Sequence, residues 1–374
     1  MLDFTFTHGS FSLSLYCFLL FSLLVLVNYS SCTNPGVSRS YSSYKRRLFL
    51  LGVAAFSITC FINGDFYNYQ EFVRNYDFSI AASNHAEPIY GFIIRIVGRN
   101  YLLFRIIVWG SGLLILSRSI VCLGLDDYKV IYFLLASFIL TFSYARASLA
   151  FSIYFLGLAL VCTQQKKTIL KRLIGIVLIL VSYFFHHSMI IAILITPIII
   201  MPFDRITILV GMLLIPLLFA LFSNVINSIL LSGEFLDNEE LADQIVFYAE
   251  RSIDAINWKG RIYEWSNYAS YFLPLLVLTY NGYYRKRKLF PFYIEAFYKV
   301  AFSLTLVATM FLFLNIEGKV FFYRILFMTF IPLSIVVCFA AANRIISRKT
   351  FLFLLYVGLA AQLDRFLYNM YLYL

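Results

Sequence analysis

Apolar runs of about 15–22 residues recur along the chain, and they constrain its fold more than any other feature. One of them begins at Ile206 and ends near Phe222. Runs of this length span a bilayer as α-helices, whereas the strands of a membrane barrel would alternate apolar and polar residues. Hydrophobic residues make up 61% of the 374 residues and charged residues 13%, which excludes a soluble globular protein. The chain is therefore predicted to be an all-α, polytopic membrane protein.

About twelve transmembrane helices are predicted, and residues 1–374 are predicted to form a single transmembrane domain. The predicted spans cover residues 11–30, 47–63, 101–117, 130–144, 147–162, 173–185, 189–201, 206–223, 266–281, 296–315, 320–342 and 350–370. The segment 89–98 is too short to span and is predicted to be re-entrant or interfacial. No basic segment precedes the first run, which is therefore predicted to be a retained helix rather than a signal peptide.

The lysines predict how the helices are oriented. Alternate loops, with one helix edge, hold nine lysines: Lys45, Lys129, Lys166, Lys167, Lys171, Lys286, Lys288, Lys299 and Lys349. The opposite side holds only Lys259 and Lys319. The positive-inside rule makes the lysine-rich loops cytoplasmic and places both termini outside the cytoplasm. The net charge of +11 then reflects orientation, and no nucleic acid is predicted as a partner.

Two long segments, 64–100 and 224–265, lie on the predicted outer side. The second carries acidic residues between apolar ones at helical spacing, which predicts one or two amphipathic helices over the outer mouth of the bundle.

Solitary arginines within apolar or aromatic sequence form the clearest candidate site. They are Arg95, Arg99, Arg105, Arg146, Arg261, Arg324 and Arg365. All fall on or near the predicted outer side, which carries nine arginines when Arg74 and Arg251 are added. The planar guanidinium suits bidentate binding of phosphate or carboxylate better than lysine does. The alternative for each arginine is a snorkelling or ion-paired side chain.

His186 and His187 follow an apolar helix on the same predicted side. A neutral imidazole can act as a general base near neutral pH, and a helix-capping or aromatic-packed histidine is the alternative. The carboxylates of Asp65, Glu87 and Glu264 could bind sugar hydroxyls, pair with arginines or cap turns. We find no nucleotide-binding loop, zinc motif or nucleophile elbow, so no cofactor and no metal are predicted.

The order of short motifs along residues 50–340 resembles the EpsG family of polysaccharide polymerases, relatives of the Wzy O-antigen and capsule polymerases. The motifs are Asp65-x-x-Asn-Tyr69, Glu87-Pro-x-Tyr-Gly-Phe92, Arg146-Ala-Ser-Leu-Ala150, Phe185-His186-x-Ser188 and Tyr323-Arg324. The Arg146 and Phe-His-x-Ser segments are the most specific of them. The doubled histidine leaves the register open, and His186 matches the Phe-His-x-Ser position.

The resemblance implies a GT-C-like fold in the inner membrane of a bacterium. It implies a glycosyltransferase, inverting and metal-independent, that moves a growing glycan from undecaprenyl pyrophosphate onto a lipid-linked oligosaccharide repeat unit at the outer face. Its partners would be these lipid-linked oligosaccharides, membrane lipids, a chain-length regulator and a flippase. The sugars, the linkage and the oligomeric state stay open.

Carried onto this sequence, the resemblance implies roles for the candidate residues. The catalytic residues would be His186, Arg146 and Arg324. The substrate-binding residues would be Asp65, Glu87, Arg105, His187, Arg261, Glu264 and Tyr323. Two rivals stay open, a lipid-linked oligosaccharide flippase and an O-antigen ligase. A flippase needs cationic residues in mid-span, whereas here they cluster at predicted outer helix ends.

Overall fold

The computed structural model describes residues 66–76, 88–125, 127–142, 145–162, 169–201, 203, 210–214, 217–218, 221–222, 258–284, 289–312 and 316–373. Within these residues all regular structure is helical and no strand occurs, so the predicted all-α class is confirmed for them. The predicted spans at 11–30 and 47–63, most of the span at 206–223 and most of the outer segment 224–265 lie outside the described residues.

The α-helices are numbered in chain order within the described residues. They are α1 (Phe66–Arg74), α2 (Pro88–Val97), α3 (Tyr101–Cys122), α4 (Asp127–Phe142), α5 (Ala145–Cys162), α6 (Ile169–Phe185), α7 (Met189–Ile195), α8 (Trp258–Leu278), α9 (Phe292–Leu312), α10 (Ile316–Ala342) and α11 (Arg348–Tyr373). A 3₁₀ helix, Thr196–Ile200, follows α7, and π-helical segments occupy Val210–Leu214 and Thr279–Tyr284. Helices therefore occupy the regions where the apolar runs predict them, between residues 101 and 201 and between residues 266 and 370.

Four helical segments in the described part of the chain are long and apolar enough to cross a membrane. They are Tyr101–Cys122, Phe292–Met310, Arg324–Ala342 and Arg348–Leu367. Shorter apolar helices occupy Lys129–Phe138, Arg146–Cys162 and Met189–Ile200. The protein is therefore membrane-associated. Helix α2 has only 10 residues, about 15 Å of helix, which is too short for a bilayer core of about 30 Å.

The described helices divide into two compact units. The first contains α1 to α4, α5 up to Val161, α6 and the end of α11 from Arg365. The second contains α7 to α10 and α11 up to Asp364. In the first unit, α3 packs against α1, α2 and α4, and α2 also packs against α6. Asn100 begins α3 as its N-cap, with its side chain accepting a hydrogen bond from the Leu103 amide, 3.1 Å away.

Helix α1 is held against α2 through Tyr76. A Cβ atom added to Gly91 would lie 3.0 Å from Cζ of Tyr76 and closer still to its hydroxyl, so a larger residue at this contact would force the Tyr76 ring to move. Arg99, in the turn after α2, donates a hydrogen bond from Nη2 to the Tyr76 carbonyl, 2.9 Å away. Its φ of 63° lies in the left-handed region, which favours glycine. The positions of α1, α2 and the start of α3 are therefore coupled.

Helices α5 and α6 cross at a pair of glycines. A Cβ on Gly157 would lie 2.6 Å from the Gly175 carbonyl oxygen, and a Cβ on Gly175 would lie 2.7 Å from the Gly157 carbonyl oxygen. Both distances are below 3.0 Å, a separation that real Cβ atoms essentially never show. The two backbones therefore touch, as small residues allow in membrane helix pairs.

The second unit is built on α9 and α10. These two helices form its largest helix contact, while α8, α7 and the 3₁₀ helix pack around them. In α10, 83% of the apolar segment Arg324–Ala342 is buried. A helix that is apolar on all sides is suited to such a central position. Pro332 lies inside α10 and Pro274 inside α8.

Lys299 of α9 closes the end of the 3₁₀ helix. Its side chain is 6% exposed, and Nζ donates to the carbonyls of Met201 at 2.6 Å and Ile199 at 3.3 Å. It also lies 3.4 Å from the Glu295 carboxylate, one helical turn earlier in α9. The ammonium satisfies carbonyls that a helix end leaves without intrahelical partners. Lys299, which the sequence predicts at a helix edge, is thus a buried packing residue inside α9, and the predicted orientation rests on the other lysines.

Candidate functional site

Arg146 is the centre of the best-defined polar cluster among the predicted site residues. It lies in the first turn of α5 and is half-buried. Its Cζ atom lies 4.7 Å from the ring centroid of Tyr69, 5.8 Å from that of Phe72 and 5.9 Å from that of Tyr90. Such distances allow cation–π attraction, which holds a guanidinium without neutralising it.

Two tyrosine hydroxyls add hydrogen bonds to the same arginine. Nε of Arg146 donates to the hydroxyl of Tyr69, 3.1 Å away and 77 residues earlier in the chain. The hydroxyl of Tyr90 donates to the Arg146 backbone carbonyl, 2.9 Å away. Tyr90 is fully buried, so this bond fixes the first turn of α5 against α2. Arg146 is thus held at both its backbone and its side chain.

The end of α6, which His186 and His187 follow, contacts the same cluster through Phe185. The Phe185 ring meets the Tyr90 ring edge-on, with centroids 6.4 Å apart and an interplanar angle of 86°. His186 follows directly, is half-buried, and donates its backbone amide to the Ser182 carbonyl. His187 is exposed, and its ring lies 5.0 Å from that of Tyr183. Of the two imidazoles, His186 is therefore the one adjacent in sequence to the Tyr90 contact.

Arg105 lies inside the first unit rather than on a surface. It is 1% exposed, its Nη1 donates to the Tyr101 hydroxyl at 3.0 Å, and its Cζ lies 4.9 Å from the Trp109 ring centroid. Tyr101 stacks on Phe104, whose ring lies 6.0 Å from that of Tyr90. Aromatic contacts therefore run from Arg105 to the residues that hold Arg146. This position suits a supporting role for Arg105 better than direct contact with substrate.

The remaining predicted site residues are distributed as follows. Asp65 and Glu87 lie outside the described residues, next to the starts of α1 and α2. Arg261 belongs to α8 and Tyr323 to α10, and their side chains lie outside the described part.

Arg324 and Glu264 are described within the second unit. Arg324 of α10 is exposed and begins that helix's apolar segment, and Glu264 of α8 is half-buried. Two residues after Glu264, Ser266 donates a hydrogen bond to the Asp364 carboxylate. Arg324 and Arg146 thus occupy separate units of the chain.

Sequence reasoning gave no role to the aromatic side chains that hold Arg146. Tyr69 and Tyr90 stand within the motifs beside Asp65 and Glu87, but 19% of the chain is aromatic, so their identity alone carries no signal. Arg365 is one of the solitary arginines that the sequence predicts near the outer side, and it is buried: it is 1% exposed, and its Nη1 donates to the Thr141 hydroxyl at 2.9 Å.

Within the described residues, no group of three or more histidine, cysteine, aspartate or glutamate side chains is placed to hold a metal ion. Comparison of the chain with protein-family models, with curated proteins and with solved structures gave no match.

Proposed function

We propose that the chain is a polysaccharide polymerase of the EpsG and Wzy kind. It transfers a growing glycan from undecaprenyl pyrophosphate onto a lipid-linked oligosaccharide repeat unit at the outer face of a bacterial inner membrane. The proposal includes about twelve spans, a GT-C-like arrangement and both termini outside the cytoplasm.

One observation supports this proposal most directly. Four short motifs that suggested the resemblance supply neighbouring side chains in a single unit. Tyr69 and Tyr90 bond to Arg146, and Phe185, which precedes His186, packs on Tyr90. Local helix propensity does not require such convergence between segments 56 and 77 residues apart. A shared site for one ligand explains it.

The electrostatics of this cluster suit a pyrophosphate. Arg146 lies in the first turn of α5, where the helix dipole and unsatisfied amides already attract anions. A cation at this end is unfavourable for the helix dipole, and a bound anion would offset that cost. Arginine also offers the planar geometry that binds phosphate oxygens in pairs.

The proposed reaction is a single displacement. A hydroxyl of the acceptor sugar attacks the anomeric carbon of the donor glycan, the bond from that carbon to the phosphate oxygen breaks, and undecaprenyl pyrophosphate leaves with the electron pair. His186 takes the proton of the acceptor hydroxyl. Arg146 and Arg324 stabilise the charge that develops on the pyrophosphate. The donor bond supplies the energy.

The other residues are assigned to support or to substrate binding. Arg105 supports the arginine cluster from inside the first unit. Four residues bind sugar or brace the arginines, namely Asp65, Glu87, Arg261 and Glu264. His187 and Tyr323 are further substrate-binding residues. A chain-length regulator and a flippase are the proposed protein partners.

The test is deletion of the gene, followed by complementation and analysis of the surface glycan. If the chain is a polymerase, the deletion strain should carry a single repeat unit on its lipid core. Wild-type chain restores long polymer, and Arg146→Ala does not, with a loss of elongation of about 100-fold or more. The matched control is Arg348→Ala, an exposed arginine that begins α11 on the predicted cytoplasmic side.

Other phenotypes would contradict the proposal. Loss of all surface repeats, with lipid-linked units retained inside the cell, would indicate a flippase. Polymer of normal length that stays on undecaprenyl pyrophosphate and never reaches the lipid core would indicate a ligase. Full-length polymer from Arg146→Ala at normal protein level would remove Arg146 from the site.

A further inference from the structure

We propose that Tyr69 is a positioning residue for Arg146, and that its hydroxyl sets the direction in which the guanidinium faces an anionic ligand. The inference rests on the proposed function, because it concerns the same pyrophosphate site. It assigns a role to a tyrosine that belongs to a sequence motif but receives no role from the motif alone.

The three rings around Arg146 cannot set this direction by themselves. Attraction between a cation and a ring face depends weakly on rotation of the guanidinium within its own plane, and the three centroids lie 4.7–5.9 Å from Cζ. A hydrogen bond is directional. The Nε–H bond to the Tyr69 hydroxyl, at 3.1 Å, fixes the rotation about the end of the side chain. The fork of the two terminal nitrogens then has a defined orientation.

Tyr90 completes the arrangement from the backbone side. Its buried hydroxyl donates to the Arg146 carbonyl at 2.9 Å, which fixes the turn from which the side chain projects. Donors that are held in place before charge develops stabilise a transition state without reorganisation. A displaced donor stabilises the transition state much less, since misplacement by about 1 Å can lower the rate by a factor of 100. Tyr69 would therefore act on catalysis through Arg146.

A different role for Tyr69 is to satisfy a half-buried guanidinium, which concerns stability alone. A double-mutant cycle on purified protein separates the two roles. Tyr69→Phe removes the hydroxyl and keeps the ring. Arg146→Lys keeps the charge and removes the Nε–H donor. The substrate is the lipid-linked repeat unit isolated from the deletion strain, and the readout is the initial rate of glycan elongation.

If Tyr69 positions Arg146, Tyr69→Phe should lower kcat about 10-fold, which is the usual effect of losing a hydrogen bond to a charged group. KM for the lipid-linked unit should change less than about 2-fold. In the Arg146→Lys background, Tyr69→Phe should lower the rate no further, because the bond it removes is already absent. The control is Tyr356→Phe, an exposed tyrosine of α11 that should leave both constants unchanged.

Three results would overturn the inference. The first is a kcat for Tyr69→Phe equal to that of wild type. The second is an effect of Tyr69→Phe that multiplies with the effect of Arg146→Lys. The third is a KM raised by Tyr69→Phe while kcat stays unchanged. If Arg146→Lys leaves no measurable elongation, the division of the Tyr69→Phe effect between kcat and KM decides alone. Wild-type elongation by Arg146→Lys would instead refute the role of Arg146 in the proposed function, and the inference with it.

Discussion

Replacement of Gly157 by alanine should separate helices α5 and α6 and lower both stability and activity. The added Cβ would lie 2.6 Å from the Gly175 carbonyl oxygen, against 3.4 Å for an ordinary contact, so the backbones must move apart by about 0.8 Å. Atoms of Ile179 at 2.8 and 2.9 Å block the other directions. Overpacking of this kind costs about 1–3 kcal/mol.

The crossing lies at matched distances from the candidate site. Gly157 stands 11 residues after Arg146 in α5, and Gly175 stands 11 residues before His186 at the end of α6. At 1.5 Å per residue, each glycine lies about 16 Å along its helix from the corresponding site residue, Arg146 or His186. A shift of about 0.8 Å at the crossing should change the spacing of these two helices and hence the site geometry, where about 1 Å can cost 100-fold in rate.

The matched control is Gly110→Ala in α3. A Cβ at Gly110 would meet nothing within 4 Å, so this substitution causes no steric clash. It should stabilise the helix by about 1 kcal/mol, the difference in helix propensity between alanine and glycine. Both variants exchange glycine for alanine inside a helix, and the difference between them isolates the steric cost. The assays are thermal unfolding of purified protein and glycan length in the complemented deletion strain. Equal midpoints and equal glycan lengths for the two variants would refute this account of the crossing.

Three further predictions concern single residues. Lys299→Met should destabilise the protein by about 3 kcal/mol in thermal unfolding, because two carbonyls and the Glu295 carboxylate lose their cation, whereas Lys299→Arg should retain part of the stability. Asn100→Ala should cost about 1 kcal/mol through loss of the N-cap of α3, and Asn100→Asp should not. His186→Ala should reduce the elongation rate about 100-fold or more, and His187→Ala should reduce it less; the reverse order would transfer the proposed base to His187.

Helix positions could be predicted because they depend on local properties of the chain. The predicted span at 101–117 begins at the residue where α3 begins, since Asn100 caps that helix and an apolar run follows. An apolar run predicts a helix, because backbone groups buried in lipid must bond within the segment. The end of the helix is less well predicted, since α3 continues beyond residue 117 to Cys122. The 10-residue α2 was likewise predictable as too short to span.

Contacts between distant segments could not be predicted in the same way. The hydroxyl of Tyr69 meets Arg146 across 77 residues, and nothing in the local period of either helix specifies that pairing. Lys299 illustrates the same limit, because its burial depends on carbonyls 98 and 100 residues earlier in the chain. Arg105 could be identified as costly, but its enclosure by Tyr101 and Trp109 depends on how α3 packs.

The most direct test of the central claim is elongation by the purified protein. The full chain is reconstituted in lipid with the undecaprenyl-pyrophosphate-linked repeat unit from the deletion strain, and glycan length and released undecaprenyl pyrophosphate are measured together. We predict a ladder of lipid-linked oligomers, with one undecaprenyl pyrophosphate released for each linkage formed, and loss of both signals in Arg146→Ala. Movement of intact lipid-linked units across the bilayer without elongation, or equal elongation by Arg146→Ala, would contradict the claim.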